Sequence, residues 1–114
     1  MGTTGTGRFG DYGAGQDEGD RCDKAFAADL EDLATCAFYR DHESLPPAGT
    51  LIALIVNQRV TVVTAGTGEE IGHLPTEFNY LRACIRSGRI YEGLVKSIAE
   101  RPLLRVSVDI APTN

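Results

Sequence analysis

Apolar residues recur along the chain in two rhythms, and the change between them falls near residue 50. Within 24–42, KAFAADLEDLATCAFYRDH, the residues Phe26, Leu30, Leu33 and Ala37 share a narrow arc at helical spacing, with acids opposite. That spacing predicts an amphipathic helix. The same stretch admits a short strand around Phe26–Leu33 followed by a helical turn capped by Thr35. Its few β-branched residues favour the helix. Leu45-Pro46-Pro47-Ala48-Gly49 then stops helical structure, because proline lacks an N–H donor and restricts the residue before it.

From residue 50 the rhythm is that of strands. TLIALIV and VTVVTA are rich in β-branched residues and flank Asn57-Gln58-Arg59, which predicts a hairpin. A turn at Gly66-Thr67-Gly68 leads to a short strand, EEIGHL. Pro75 and Thr76 then open a helix with Phe78, Leu81 and Ile85 on one face and Gly88 as its stop. RIYEGLVKSIA and LLRVSVDIA follow as two strands around Glu100-Arg101-Pro102. In the second, Leu104, Val106, Val108 and Ile110 alternate with Arg105, Ser107 and Asp109, as a half-buried strand does. The inward positions predict a core of Ile71, Leu74, Phe78, Leu81, Ile85, Val106 and Val108.

These elements predict an α+β fold: a small SH3/OB-like β-barrel of about five strands with an inserted helix. A helical or mixed segment and a Gly-rich N-terminal arm precede it. Short twisted strands curl into barrels because closure removes exposed edges. Residues 1–20 hold seven glycines and little that is apolar, so they have little to bury in return for ordering. Two units follow: an acidic arm over 1–23 and a single barrel domain over 24–114. The arm reads as a flexible tail, or as an extended segment that orders against a partner through Phe9 and Tyr12.

Charge narrows the partners. The chain carries 11 Lys and Arg against 16 Asp and Glu, a net charge of −5. The excess acid lies before residue 44, and the remainder is nearly neutral. Nucleic-acid binding driven by charge alone needs a basic excess, which the chain lacks, so any such site must be local. Arg82, Arg86 and Arg89 recur at helical spacing, with Tyr80 and Tyr91 close in sequence and Arg59 in the hairpin turn. Arginines beside aromatic rings are what a single-strand groove uses, the charges tracking phosphates and the rings taking bases. The bland alternative is a solvated helix face with its aromatics in the core.

Over residues 50–111 the order of features resembles a HIRAN domain, the small β-barrel attached to DNA-remodelling helicases. The likeness rests on the hairpin ending VTVVTA, a polar turn, and Ile71-Gly72-His73-Leu74-Pro75 leading into a helix. The strand Ile90–Val95 and the alternating last strand complete it. Such a resemblance implies an SH3/OB-like barrel that binds single-stranded DNA ends and is not itself an enzyme.

Other motifs carry less. Gly5-Thr6-Gly7-Arg8-Phe9-Gly10 matches GxGxxG but lacks the preceding strand and following helix of a dinucleotide site. Met1-Gly2-Thr3-Thr4-Gly5-Thr6 fits a myristoylation pattern, yet acidic residues follow it, and these would repel anionic lipid. Three cysteines, an odd number, suit a reducing compartment, and Cys84 beside Ile85 reads as a small apolar group. With no apolar run of about 20 residues and no leader pattern, a cytoplasmic location is expected. Cys22, Cys36, Cys84, His42 and His73 lack the paired spacing of a structural zinc site, so neither metal nor cofactor is expected. The sharpest enzymatic alternative pairs Cys36 or Cys84 with His42 or His73, which needs a base and an orienting third group around the thiol. Glu31–Asp32 and Glu69–Glu70 read as solvated surface or turn residues. Together these readings predict a non-enzymatic binding module or accessory subunit docking onto a larger protein, with single-stranded DNA ends as a further ligand.

Overall fold

A computed structural model describes residues 21–113. Among these, six strands form one antiparallel sheet: β1 (Phe26–Asp29), β2 (Leu51–Val56), β3 (Val60–Thr64), β4 (Glu70–His73), β5 (Tyr91–Ala99) and β6 (Arg105–Pro112). Two short helices join them, α1 (Ala37–His42) and α2 (Leu81–Arg86). Single 3-10 turns lie at Leu33–Thr35 and Thr76–Phe78. The strand order is β1-β6-β5-β2-β3-β4.

The sheet curls into a half-barrel. One bridge joins its two edges, where the chain just after β1 pairs Glu31 with His73 of β4. Both backbone bonds of that bridge form, at 2.8 and 2.9 Å. They occupy donors and acceptors that an open edge would leave unpaired.

The segment 24–42 takes the strand-and-turn alternative, not the favoured helix. Phe26, Ala27, Ala28 and Asp29 pair with Ile110, Asp109, Val108 and Ser107 of β6 in antiparallel register. The edge of β6 supplies partners for this backbone, and that non-local gain outweighs the helical arc of Phe26 and Leu30. The strand count is accordingly six. The inserted helix is also shorter than its sequence pattern, since its first turn is the separate 3-10 turn at Thr76–Phe78.

The inner face of the sheet carries the core. Ile71, Leu74, Leu81, Val106 and Val108 are buried together, joined by Ile52, Val60, Val62, Val95 and Tyr91. Phe78 and Ile85 are half-buried and pack against this cluster from the rim, and Phe26 stacks on Phe78 with ring centroids 4.8 Å apart.

Cys84 is not a lone apolar filler. It forms a disulfide with Cys22, 62 residues earlier. The bond removes the premise for a reducing compartment, because disulfides persist chiefly in oxidising surroundings. No helix among the described residues is long and apolar enough to cross a membrane. The disulfide also holds Arg21–Asp23 against the domain, where Arg21 lies 3.8 Å from the ring centre of Tyr80 and Asp23 pairs with Arg89. Phe9 and Tyr12 lie outside the described residues.

Candidate functional site

Two features of the outer surface carry chemistry, one polar and one apolar. The polar one forms where residues 31–36 cross β4.

A regular strand turns Glu70 and His73 to opposite faces, because side chains alternate with period two. β4 is not regular. Thr61 pairs with His73 and Val62 with Gly72, but Val63 pairs with Glu70, so β4 holds one extra residue. Such a bulge re-aims a side chain. Here it brings Glu70 and His73 to one face, and α1 packs over β4 beside them. Cys36, which precedes α1, is buried there at 4% exposure.

The donor atoms of Cys36, Glu70 and His73 all lie within 4.8 Å of one another. The Cys36 Sγ to His73 Nε2 distance is 4.0 Å. On the other side of the imidazole, Nδ1 lies 2.7 Å from Asp32 Oδ2. Asp32 sits in the left-handed region at φ 61°, a conformation that costs a non-glycine residue energy and is concentrated at functional sites. Arg59 holds it there, donating to Asp32 at 3.0 Å, to Glu31 at 2.8 Å and to the carbonyl of Leu74 at 2.7 Å. Asn57 donates to Glu70 at 3.2 Å.

Electrostatics follow from these contacts. The hydrogen bond from His73, with the nearby charge of Arg59, holds the Asp32 carboxyl below its ordinary range. Burial pushes the Cys36 thiol up, and the charges of Glu70 and Asp32 push it further the same way. A cleft of about 270 Å³ opens beside the cluster, lined by Asn57, Gln58, Arg59 and His73.

Of the pairings in the enzymatic alternative, only Cys36 and His73 lie together among the described residues, with Asp32 on the other ring nitrogen. Cys84 is unavailable as a thiol, and His42 instead pairs with Glu69 at 2.9 Å. Asp32, Glu70 and Asn57 joined the site unseen in the sequence. Sequence alone reads Asp32 and Glu70 as solvated surface or turn residues.

The residues expected to bind nucleic acid do not form one groove. Arg59 is committed to two carboxylates, and Arg89 pairs with Asp23. Arg82 donates to the carbonyl of Gln58 at 2.7 Å, which brings it to the hairpin beside Arg59. Arg86 is exposed on α2. Tyr80 is covered by Arg21. Tyr91 is 1% exposed, and its hydroxyl donates to the carbonyl of Cys22 at 2.7 Å. A ring so buried offers no face to a base, which corrects the stacking role expected of it.

The apolar feature lies on the outer face of β2 and β5. Leu51 pairs directly with Leu94, and both are exposed, at 65% and 40%. Ile55 lies further along β2 on the same face and is also exposed. Acids flank the strip, since Asp109 pairs with Leu94 and Glu92 with Ala53.

The chain matches no protein-family model, no curated protein and no solved structure.

Proposed function

We propose that the protein is a non-enzymatic interaction module that docks onto a larger protein through the outer face of β2 and β5. The observation that carries this reading is the exposed Leu51–Leu94 pair. Large side chains paired across two central strands, with no covering element among the described residues, leave apolar surface in water, and contiguous surface of that kind marks interaction sites. The flanking acids Glu92 and Asp109 favour a partner whose apolar ridge is bordered by Lys or Arg. Burial of Cys36 supports the non-enzymatic reading, since a catalytic thiol has to meet its substrate.

The test compares the wild-type chain with a Leu51→Glu/Leu94→Glu variant in co-purification from native cells. Both positions face solvent, so the variant keeps its melting temperature within a few degrees. Its stoichiometric protein partner is lost. A folded variant that retains the partner refutes the reading.

A second reading has its own observation. Arg82 donates to the carbonyl of Gln58, a residue that lines the hairpin cleft, and Arg86 follows one helical turn later; under the HIRAN resemblance a single-stranded DNA end would sit against these two arginines. A labelled oligonucleotide then binds at low salt, and Arg82→Ala/Arg86→Ala reduces both the affinity and its salt dependence. Absence of binding at low salt removes this reading and leaves the first intact.

A further inference from the structure

We infer that Cys36, Glu70 and His73 form a zinc site, a role independent of the docking face. Thiolate, imidazole and carboxylate are the three donor types that Zn²⁺ accepts from proteins, and a thiolate argues against Mg²⁺ or Ca²⁺. Distances fit. Zn–S at ~2.3 Å and Zn–N at ~2.1 Å separate two tetrahedral donors by roughly 3.6 Å, against the observed 4.0 Å between Cys36 Sγ and His73 Nε2. A shift of a few tenths of an ångström closes the gap. The third donor lies within the same 4.8 Å limit.

The surroundings are those of a metal site as well. A zinc-bound histidine usually gives its other ring N–H to a carboxylate, which fixes the tautomer and aims the free lone pair. Asp32 takes that position on Nδ1, and Arg59 fixes Asp32 in turn. Asn57 holds one oxygen of Glu70 and leaves the other for the metal. The bulge in β4 is what lets Glu70 and His73 face the same ion.

Charge balance agrees. On binding, the Cys36 thiol loses its proton to solvent, so one thiolate, one carboxylate and one neutral imidazole surround a dication. The three ligands and the ion together are then neutral. Three protein ligands leave a fourth position, and the hairpin cleft lies beside the site to admit water there.

The experiment uses the full chain with its disulfide intact and no thiol reductant, stripped of metal by a chelator and dialysed. Titration with Zn²⁺ against a chromogenic competitor gives one site per chain. Co²⁺ in its place gives the near-ultraviolet band of a single thiolate–cobalt bond and the visible bands of four-coordinate geometry. Cys36→Ala abolishes the thiolate band. Glu70→Gln, at a half-exposed position that leaves the fold intact, weakens zinc binding at least as much as Asp32→Asn. Asp32 is a positioning residue, and its loss weakens binding by about 10–100-fold while the thiolate band remains. Absence of a one-to-one site overturns the inference. Zinc uptake that is unchanged in both Cys36→Ala and Glu70→Gln overturns it equally, because the metal would then lie elsewhere. Neither result touches the docking of Leu51 and Leu94.

Discussion

The imidazole of His73 meets the carboxylate of Asp32 across 41 residues of sequence, Nδ1 to Oδ2 at 2.7 Å. This contact and the adjacent Glu31–His73 bridge form a seam that ties the first part of the domain to β4. Gly72 makes room for it. A Cβ at that position would lie 2.9 Å from the carbonyl oxygen of Glu31 and 3.0 Å from side-chain atoms of Leu30 and Leu33.

Gly72→Ala is therefore expected to push residues 30–33 off β4. Overpacking of this kind costs about 1–3 kcal/mol, read as a lower midpoint in a denaturant melt. A loss below about 0.5 kcal/mol would show that the seam yields freely and does not close the sheet.

Much of the sheet is legible in the sequence, and the reason is local. Leu51–Val56 and Val60–Thr64 are short runs rich in β-branched residues, and Arg105–Pro112 alternates, the patterns that favour strands. Phe26–Asp29 misled because its helical arc is a local signal, whereas its partner β6 is remote in sequence (Ser107 and Asp29 share a hydrogen bond across 78 residues). The polar site was hidden for the same reason. Glu70 and His73 converge only through a bulge, and Asp32 reaches them only after the sheet has curled.

The Cys22–Cys84 bond closes a long loop. For a sequence separation of 62, the chain-entropy argument assigns it about 4 kcal/mol. Reduction of the purified protein, or Cys22→Ala/Cys84→Ala, should lower the unfolding free energy by about 2–5 kcal/mol. An unchanged melt under reducing conditions would mean that the bond does not form in solution.

The Tyr91 phenol should titrate above its ordinary range. Burial pushes its phenol up, and its hydroxyl is spent on the carbonyl of Cys22. The sign follows from linkage. Below the unfolded phenol value of ~10, both states keep the proton and stability is unaffected. Above it the unfolded chain ionises first, so stability falls as pH rises towards the folded value. Ultraviolet titration of the folded protein should show a step above the ordinary phenol range that Tyr91→Phe removes. If Tyr91→Phe removes no step above the ordinary phenol range, the burial of Tyr91 is refuted.

Iodoacetamide addresses the enzymatic alternative. Cys36 is buried, and the other two cysteines are bonded to each other. Native protein should therefore alkylate slowly at neutral pH, and Cys36 should react at the rate of an ordinary thiol once the chain is unfolded. Rapid, stoichiometric labelling of Cys36 in the native protein would restore the Cys36–His73–Asp32 arrangement as a nucleophile.

Under the proposed function a protein partner sits on the outer face of β2 and β5. Hydroxyl-radical footprinting reads it most directly, because it reports the exposure of individual side chains in the isolated chain and in the co-purified complex. Leu51, Ile55 and Leu94 should be oxidised in the isolated protein and protected in the complex, with His73 at the hairpin cleft unchanged. Protection of His73 with Leu51 and Leu94 still fully reactive would contradict the account and move the interface to the cleft.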